Sequence, residues 1–192
     1  MGPGRPVRAG VAARRPGPGR TAPCPAHRAY RCTARSHASV GATGRSATMT
    51  VVEDRIAMAV EARFGKDAKV FSDVRIDFPG HENGFCPDVA VLGADAEKDA
   101  RGRWRHTDVR FVFEVISEGT AANDYGPKKA AYATAGIPLY VIADPCLGRC
   151  FVYTDPKNGD HVTRTRVDFG DDIDLTGTVA DLTLPTDRFP RD

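Results

Sequence analysis

The sequence predicts an α/β domain, one sheet covered by helices, and two observations carry the prediction. Short runs rich in β-branched and aromatic residues are separated by segments whose apolar residues recur at helical spacing. Their order is helix, three strands, helix, strand and hairpin, spread over about 140 residues, which suffices for a single core.

The first helix is expected from Thr50 to Phe64. Thr50-Val-Val-Glu53 has the spacing of a capping box, Val52, Ile56, Ala59, Val60 and Phe64 follow at helical intervals, and Gly65 stands where a left-handed terminating residue belongs. Val70 to Phe78 alternates Val74, Ile76 and Phe78 with Asp73, Arg75 and Asp77, the pattern of a half-buried strand broken by Pro79-Gly80. Pro87 to Leu92 reads as a more buried strand, residues 93–108 as a polar loop, and Val109 to Ile116 as a third strand. Asn123 or Asp124 can cap a second helix with Pro127 in its first turn, running to about Ala135 and stopping at Gly136. Leu139 to Ala143 is a fourth strand. Arg149–Thr154 and His161–Val167 flank Pro156-Lys-Asn-Gly159, a hairpin signal, and Ile173–Leu184 suggests one or two short strands.

Charge divides the chain unequally. Nine of the 27 Lys and Arg are arginines within residues 1–48, which hold no Lys, Asp or Glu. Residues 49–192 keep 18 basic side chains against all 25 acidic ones, a net of −7 beneath the overall +2. The first stretch also has six of the 14 Pro, seven of the 19 Gly and no Leu, Ile, Phe or Trp. It cannot bury enough apolar area to offset an ordering cost of about 1–2 kcal/mol per residue. A disordered segment is therefore expected over residues 1–48, with the folded domain at 49–192 and Met49 a candidate start. An arginine arm for nucleic acid is a weaker reading, since Arg-Gly-Pro runs without interleaved aromatics are weak evidence for one.

No run reaches the roughly 18 apolar residues of a membrane helix, and there is no GxSxG, P-loop, GxGxxG or HExxH pattern. Five cysteines, an odd number without a secretory h-region, lead to the expectation of reduced thiols in a cytoplasmic protein. Cys146 and Cys150 lack a second pair that would complete a zinc set.

Two acids stand where acids are expensive. Asp88 opens the buried strand and Glu114 interrupts Val-Arg-Phe-Val-Phe-Glu-Val-Ile. Such a carboxylate must be paired, hydrogen-bonded or metal-bound. A salt bridge or a strand end reaching water satisfies either acid singly; together, on consecutive strands, they can converge on Mg²⁺. Asp124, Lys128 and Tyr132 lie at i, i+4 and i+8 and share one helix face. They form either an exposed ion pair beside a packed tyrosine or a lysine delivered to a metal site. Lys129, about 100° away, is expected to be solvated.

Pro87-Asp88-Val-Ala-Val, Glu114-Val-Ile-Ser117, Thr120…Asp124-x-x-x-Lys128-x-x-x-Tyr132 and Gly136-Ile-Pro-Leu-Tyr140…Asp144-Pro145 together resemble the Uma-type putative restriction endonuclease family of the PD-(D/E)xK nuclease superfamily. The resemblance spans roughly residues 50–190. It implies a restriction-endonuclease-like fold, a mixed central sheet flanked by helices, and Mg²⁺-dependent hydrolysis of DNA phosphodiester bonds, with Mn²⁺ as a possible substitute. Asp88 and Glu114 would be metal ligands joined by the carbonyl of Val115, Lys128 the catalytic lysine, and Ser117, Asp124 and Tyr132 supporting residues. Ile116 occupies the superfamily's lysine position, so Lys128 supplies that charge from the following helix. Residues 1–48 do not resemble the family's N-terminal portion. An inactive or truncated nuclease-like domain acting as an interaction module is the alternative. Arg101, Arg103 and Arg105 are candidate phosphate contacts, and a homodimer is compatible with the sequence.

Overall fold

The computed structural model describes residues 47–80, 84–117 and 119–191. The expected disordered segment, residues 1–48, lies outside the described residues except for its last two. Helix α1 (Ala47–Phe64) precedes strands β1 (Lys69–Phe71), β2 (Ile76–Asp77), β3 (Val89–Leu92), β4 (Trp104–Arg105) and β5 (Val109–Val115). A composite helix follows, made of α2 (Ala121–Asn123), a π-helical turn (Asp124–Lys128) and α3 (Lys129–Thr134). Then come β6 (Leu139–Asp144), β7 (Arg149–Lys157), β8 (Asp160–Asp168), β9 (Asp172–Asp174) and β10 (Thr183–Pro185).

Six strands form the central sheet in the order β1-β3-β5-β6-β7-β8. Only β5 and β6 within it run parallel, so the composite helix is the crossover that returns the chain to the same end of the sheet. Alternation along the strands divides the core in two. Val89, Val91, Phe111, Phe113, Val115, Leu139 and Val141 face α1 and the C-terminal segment. Val52, Ile56 and Val60 present the matching stripe of α1, each burial contributing about 1.5–3 kcal/mol. Ala90, Val112, Tyr140 and Ile142 face the other way, toward Ala131 and Tyr132 of the composite helix. The two-residue turn Asn158-Gly159 joins β7 to β8 with φ of +54° and +79°, the left-handed pair that a tight hairpin requires.

Four expectations need correction. Helix α1 begins at Ala47, so Thr50 lies inside it and is not its cap; Gly65 does end it, at φ +88°. The strand expected over Val70–Phe78 is broken where Asp73 takes φ +55°. Its halves then join different sheets, β1 pairing with β3 and β2 running parallel to β4, which lies in the segment expected to be a loop. The second helix starts at Ala121, not at 123 or 124, which puts Pro127 in its interior. Proline lacks the N–H that bonds four residues back and crowds that carbonyl; the wider π turn accommodates it. Lastly, Cys146 and Cys150 are free thiols, but Cys86 is disulfide-bonded, which corrects the expectation of reduced thiols throughout. An odd count guarantees one unpaired thiol and does not forbid a pair.

Candidate active site

Asp88 immediately precedes β3 and Glu114 is the penultimate residue of β5, on the sheet face that meets the composite helix. The two strands lock their carboxylates reciprocally. The amide of Val115 donates to Asp88 Oδ2 at 2.7 Å, and the amide of Asp88 donates to Glu114 Oε2 at 3.2 Å. Glu114 is 0% exposed. The Tyr132 hydroxyl donates to its Oε1 at 2.6 Å, and Lys128 Nζ lies 2.9 Å from its Oε2. Lys128 Nζ is also 2.8 Å from Asp124 Oδ1, and its side chain is 13% exposed, which makes it the cluster's outlet to solvent. The i, i+4, i+8 spacing therefore does place Asp124, Lys128 and Tyr132 on the face that meets Glu114.

Burial dominates the electrostatics. Desolvation pushes Glu114 up to about 8, with Asp88 adding repulsion and Lys128 opposing. Asp88 and Asp124 are each pushed up to about 6, again chiefly by burial and against the pull of Lys128. Burial disfavours the Lys128 ammonium, yet the carboxylates of Glu114, Asp124 and Asp88 outweigh it and hold its pKa above the ordinary lysine range. With all four groups ionised, three carboxylates share one ammonium. Among the described residues, no group of three or more His, Cys, Asp or Glu is arranged to hold a metal.

Ser117 stands slightly apart. Its amide donates to the Thr120 hydroxyl at 3.1 Å, which shapes the turn from β5 into α2. Lys129 is not solvated as expected: it reaches Asp160 across the hairpin and lies 5.1 Å over the Tyr153 ring. The arginine cluster is also mostly committed, Arg103 to Asp77 and Asp99 and Arg105 to Asp108. Sequence reasoning gave no site role to Asp144, Tyr125 or Tyr140, although Tyr140 and Asp144 stand in the motif that carries the resemblance. Tyr125 donates to Asp144 Oδ2 at 2.8 Å, and Tyr140 donates to the carbonyl of Asp124 at 2.9 Å. The signal for Asp144 was present, an acid ending the apolar run Leu139–Ala143.

A mixed six-stranded sheet with this crossover is a nuclease-like fold. The structure is similar to that of a putative nuclease belonging to DUF820 from Anabaena variabilis, with a TM-score of 0.54 and 12% identity over 71% of this chain and 80% of that one. Residues 43–187 match the Uma2 family, described as putative restriction endonuclease, and the chain belongs to that family. Membership supports nuclease function in general. Comparison with curated proteins gives no match. Among the described residues, no helix is long and apolar enough to cross a membrane.

Proposed function

We propose that the protein is an endonuclease that hydrolyses DNA phosphodiester bonds with Mg²⁺, or Mn²⁺ in its place, held by Asp88, Glu114 and the carbonyl of Val115. The observation that carries this reading is the convergence of two buried carboxylates from adjacent strands with Lys128, the most exposed member of the cluster. The donor set suits the ion. Both carboxylates are hard oxygen donors, and with all three acids ionised against one ammonium two negative charges are in excess, which a divalent cation balances. When bound, such a cation supplies an acidified water and positive charge beside the scissile phosphate. The side chains supply the rest. Tyr132 fixes the orientation of Glu114 by holding Oε1, Asp124 anchors Lys128 from behind, and the Lys128 ammonium stabilises negative charge developing on the phosphate.

One observation favours a second reading, a nuclease-like domain without activity: Lys128 already bridges Glu114 and Asp124 in a closed ion set. The deciding experiment incubates the full chain with supercoiled plasmid in Mg²⁺, Mn²⁺ or EDTA. Cation-dependent nicking that disappears in Glu114→Gln is expected. No nicking under either cation, with no Mg²⁺-dependent rise in thermal stability, selects the second reading.

A further inference from the structure

Asp144 is buried at the end of β6, yet its carboxylate is held by two neutral donors, the Tyr125 hydroxyl at 2.8 Å and the Leu147 amide at 3.0 Å. The residue facing it across the ladder, Arg149, turns to Asp168 instead. A desolvated carboxylate without a cation is a poor source of stability. Its position suggests another use. Glu114 pairs with Ile142, and Asp144 lies two residues further along the same face of the adjacent parallel strand. Both carboxylates thus look onto the composite helix, Glu114 toward Lys128 and Asp144 toward Tyr125.

Tyr125 and Lys128 belong to the same π turn, and Pro127 lies between them. Pro127 removes one backbone hydrogen bond from this turn, so contacts from outside carry more of its geometry. It is pinned from outside at two points. The Tyr140 hydroxyl grips the carbonyl of Asp124, and Asp144 grips the hydroxyl of Tyr125, whose ring packs edge-on against Phe151 with centroids 5.7 Å apart.

We propose that Tyr125 and Asp144 are a positioning pair: their hydrogen bond fixes the π turn so that Lys128 and Asp124 meet Glu114. Neither touches the reacting atoms; they act through Lys128, and the catalytic part of the inference rests on the nuclease reading above. An anionic acceptor suits the task, because a charge-assisted hydrogen bond is stronger and more directional than a neutral one.

The test follows the Lys128 ammonium by NMR in full-length protein labelled with ¹⁵N-lysine. Lys69 serves as internal reference, since its Nζ is held independently by the carbonyls of Ala94 and Ala96 at 2.6 Å each. Tyr125→Phe keeps the ring but removes the clamp, and Tyr125→Phe/Asp144→Asn removes it without leaving a lone carboxylate. In both, proton exchange at Lys128 should accelerate about tenfold or more, the loss of one charge-assisted bond, while Lys69 is unchanged. Asp144→Asn alone, which retains an acceptor oxygen but loses its charge, should fall between the parent and the double variant. Unchanged exchange at Lys128 in the double variant overturns the proposal, and so does equal acceleration at Lys69, which marks a general loss of stability. If the parent cleaves DNA, Tyr125→Phe should lower kcat about tenfold at constant KM. A parent that does not cleave removes the nuclease reading, and the ammonium exchange then decides the positioning role alone.

Discussion

Replacing Lys128 by Met should destabilise the ion-free protein, and by an amount that depends on pH. Lys128 is the one ammonium against Glu114 and Asp124, both essentially buried. Removing one partner of such a set costs about 3–5 kcal/mol, because the remaining charges are left without compensation. For a domain of this size each kcal/mol lowers the melting temperature by about 3 °C, so a fall of about 10–15 °C is expected at pH 9. The sign follows from the carboxylates. Their folded pKa values are raised, to about 8 for Glu114 and about 6 for Asp124, and Lys128 lowers both. Without it they rise further, so the folded variant holds protons that the unfolded chain has released, and stability falls as pH climbs. Near pH 5 both acids are protonated in the fold, and most of the penalty should vanish. Circular-dichroism melts in EDTA at pH 5 and pH 9 measure the difference. Adding Glu114→Gln should restore part of the loss at pH 9 by removing one of the two orphaned charges. Equal losses at the two pH values, or none at either, would refute the buried-triad account. Lys129→Met is the control: its partner Asp160 is exposed, so the change should cost no more than about 1 kcal/mol at either pH.

Asp88→Asn and Glu114→Gln should each abolish plasmid nicking while leaving the ion-free melting temperature at pH 8 unchanged or higher, since each relieves repulsion between desolvated carboxylates. In the parent, Mg²⁺ at 100 times its dissociation constant should add about 2.7 kcal/mol of stability, a gain absent from both variants; an equal gain in them would move the cation elsewhere. The ion-free parent should lose stability between about pH 4 and pH 8, because Asp88, Asp124 and Glu114 bind protons more tightly folded than unfolded. His161 works in the opposite sense: burial lowers its pKa, so its share of stability is lost as pH falls below the ordinary histidine range. A melting temperature that rises steadily from pH 4 to pH 8 would contradict the carboxylate shifts.

The central strands and the buried acids of the candidate site were legible for one reason. Val89–Leu92, Val109–Val115 and Leu139–Asp144 are almost wholly buried, so their sequences are nearly uninterrupted apolar runs and any carboxylate within them stands out. Helical spacing was equally readable at Asp124, Lys128 and Tyr132. Illegible features arise where tertiary contacts override local preference. Between Val70 and Phe78 only Ser72-Asp73 hints at a turn, and the alternation runs through it; Asp73 turns the chain because β1 completes the edge of one sheet while Ile76 is claimed by Trp104 and Phe85. Pro127 signals a first helical turn by rule, but here a π turn, held by two tyrosine hydroxyls, accommodates it further in. Lys129 was misplaced because the hairpin that carries Asp160 is adjacent in space and not in sequence.

The single parallel pair in the sheet concentrates the chemistry in sequence. Glu114, Ser117, Asp124, Tyr125, Lys128, Tyr132 and Asp144 all belong to the unit formed by β5, its crossover helix and β6, and only Asp88 comes from elsewhere. Cooperative opening units often coincide with strand–helix–strand segments, so the amide protons of this one are expected to exchange together. Substitutions anywhere in it will then report on a shared local equilibrium as much as on the group replaced. Asp88 joins that coupling from the neighbouring strand, through the Val115 amide and the Glu114 carboxylate.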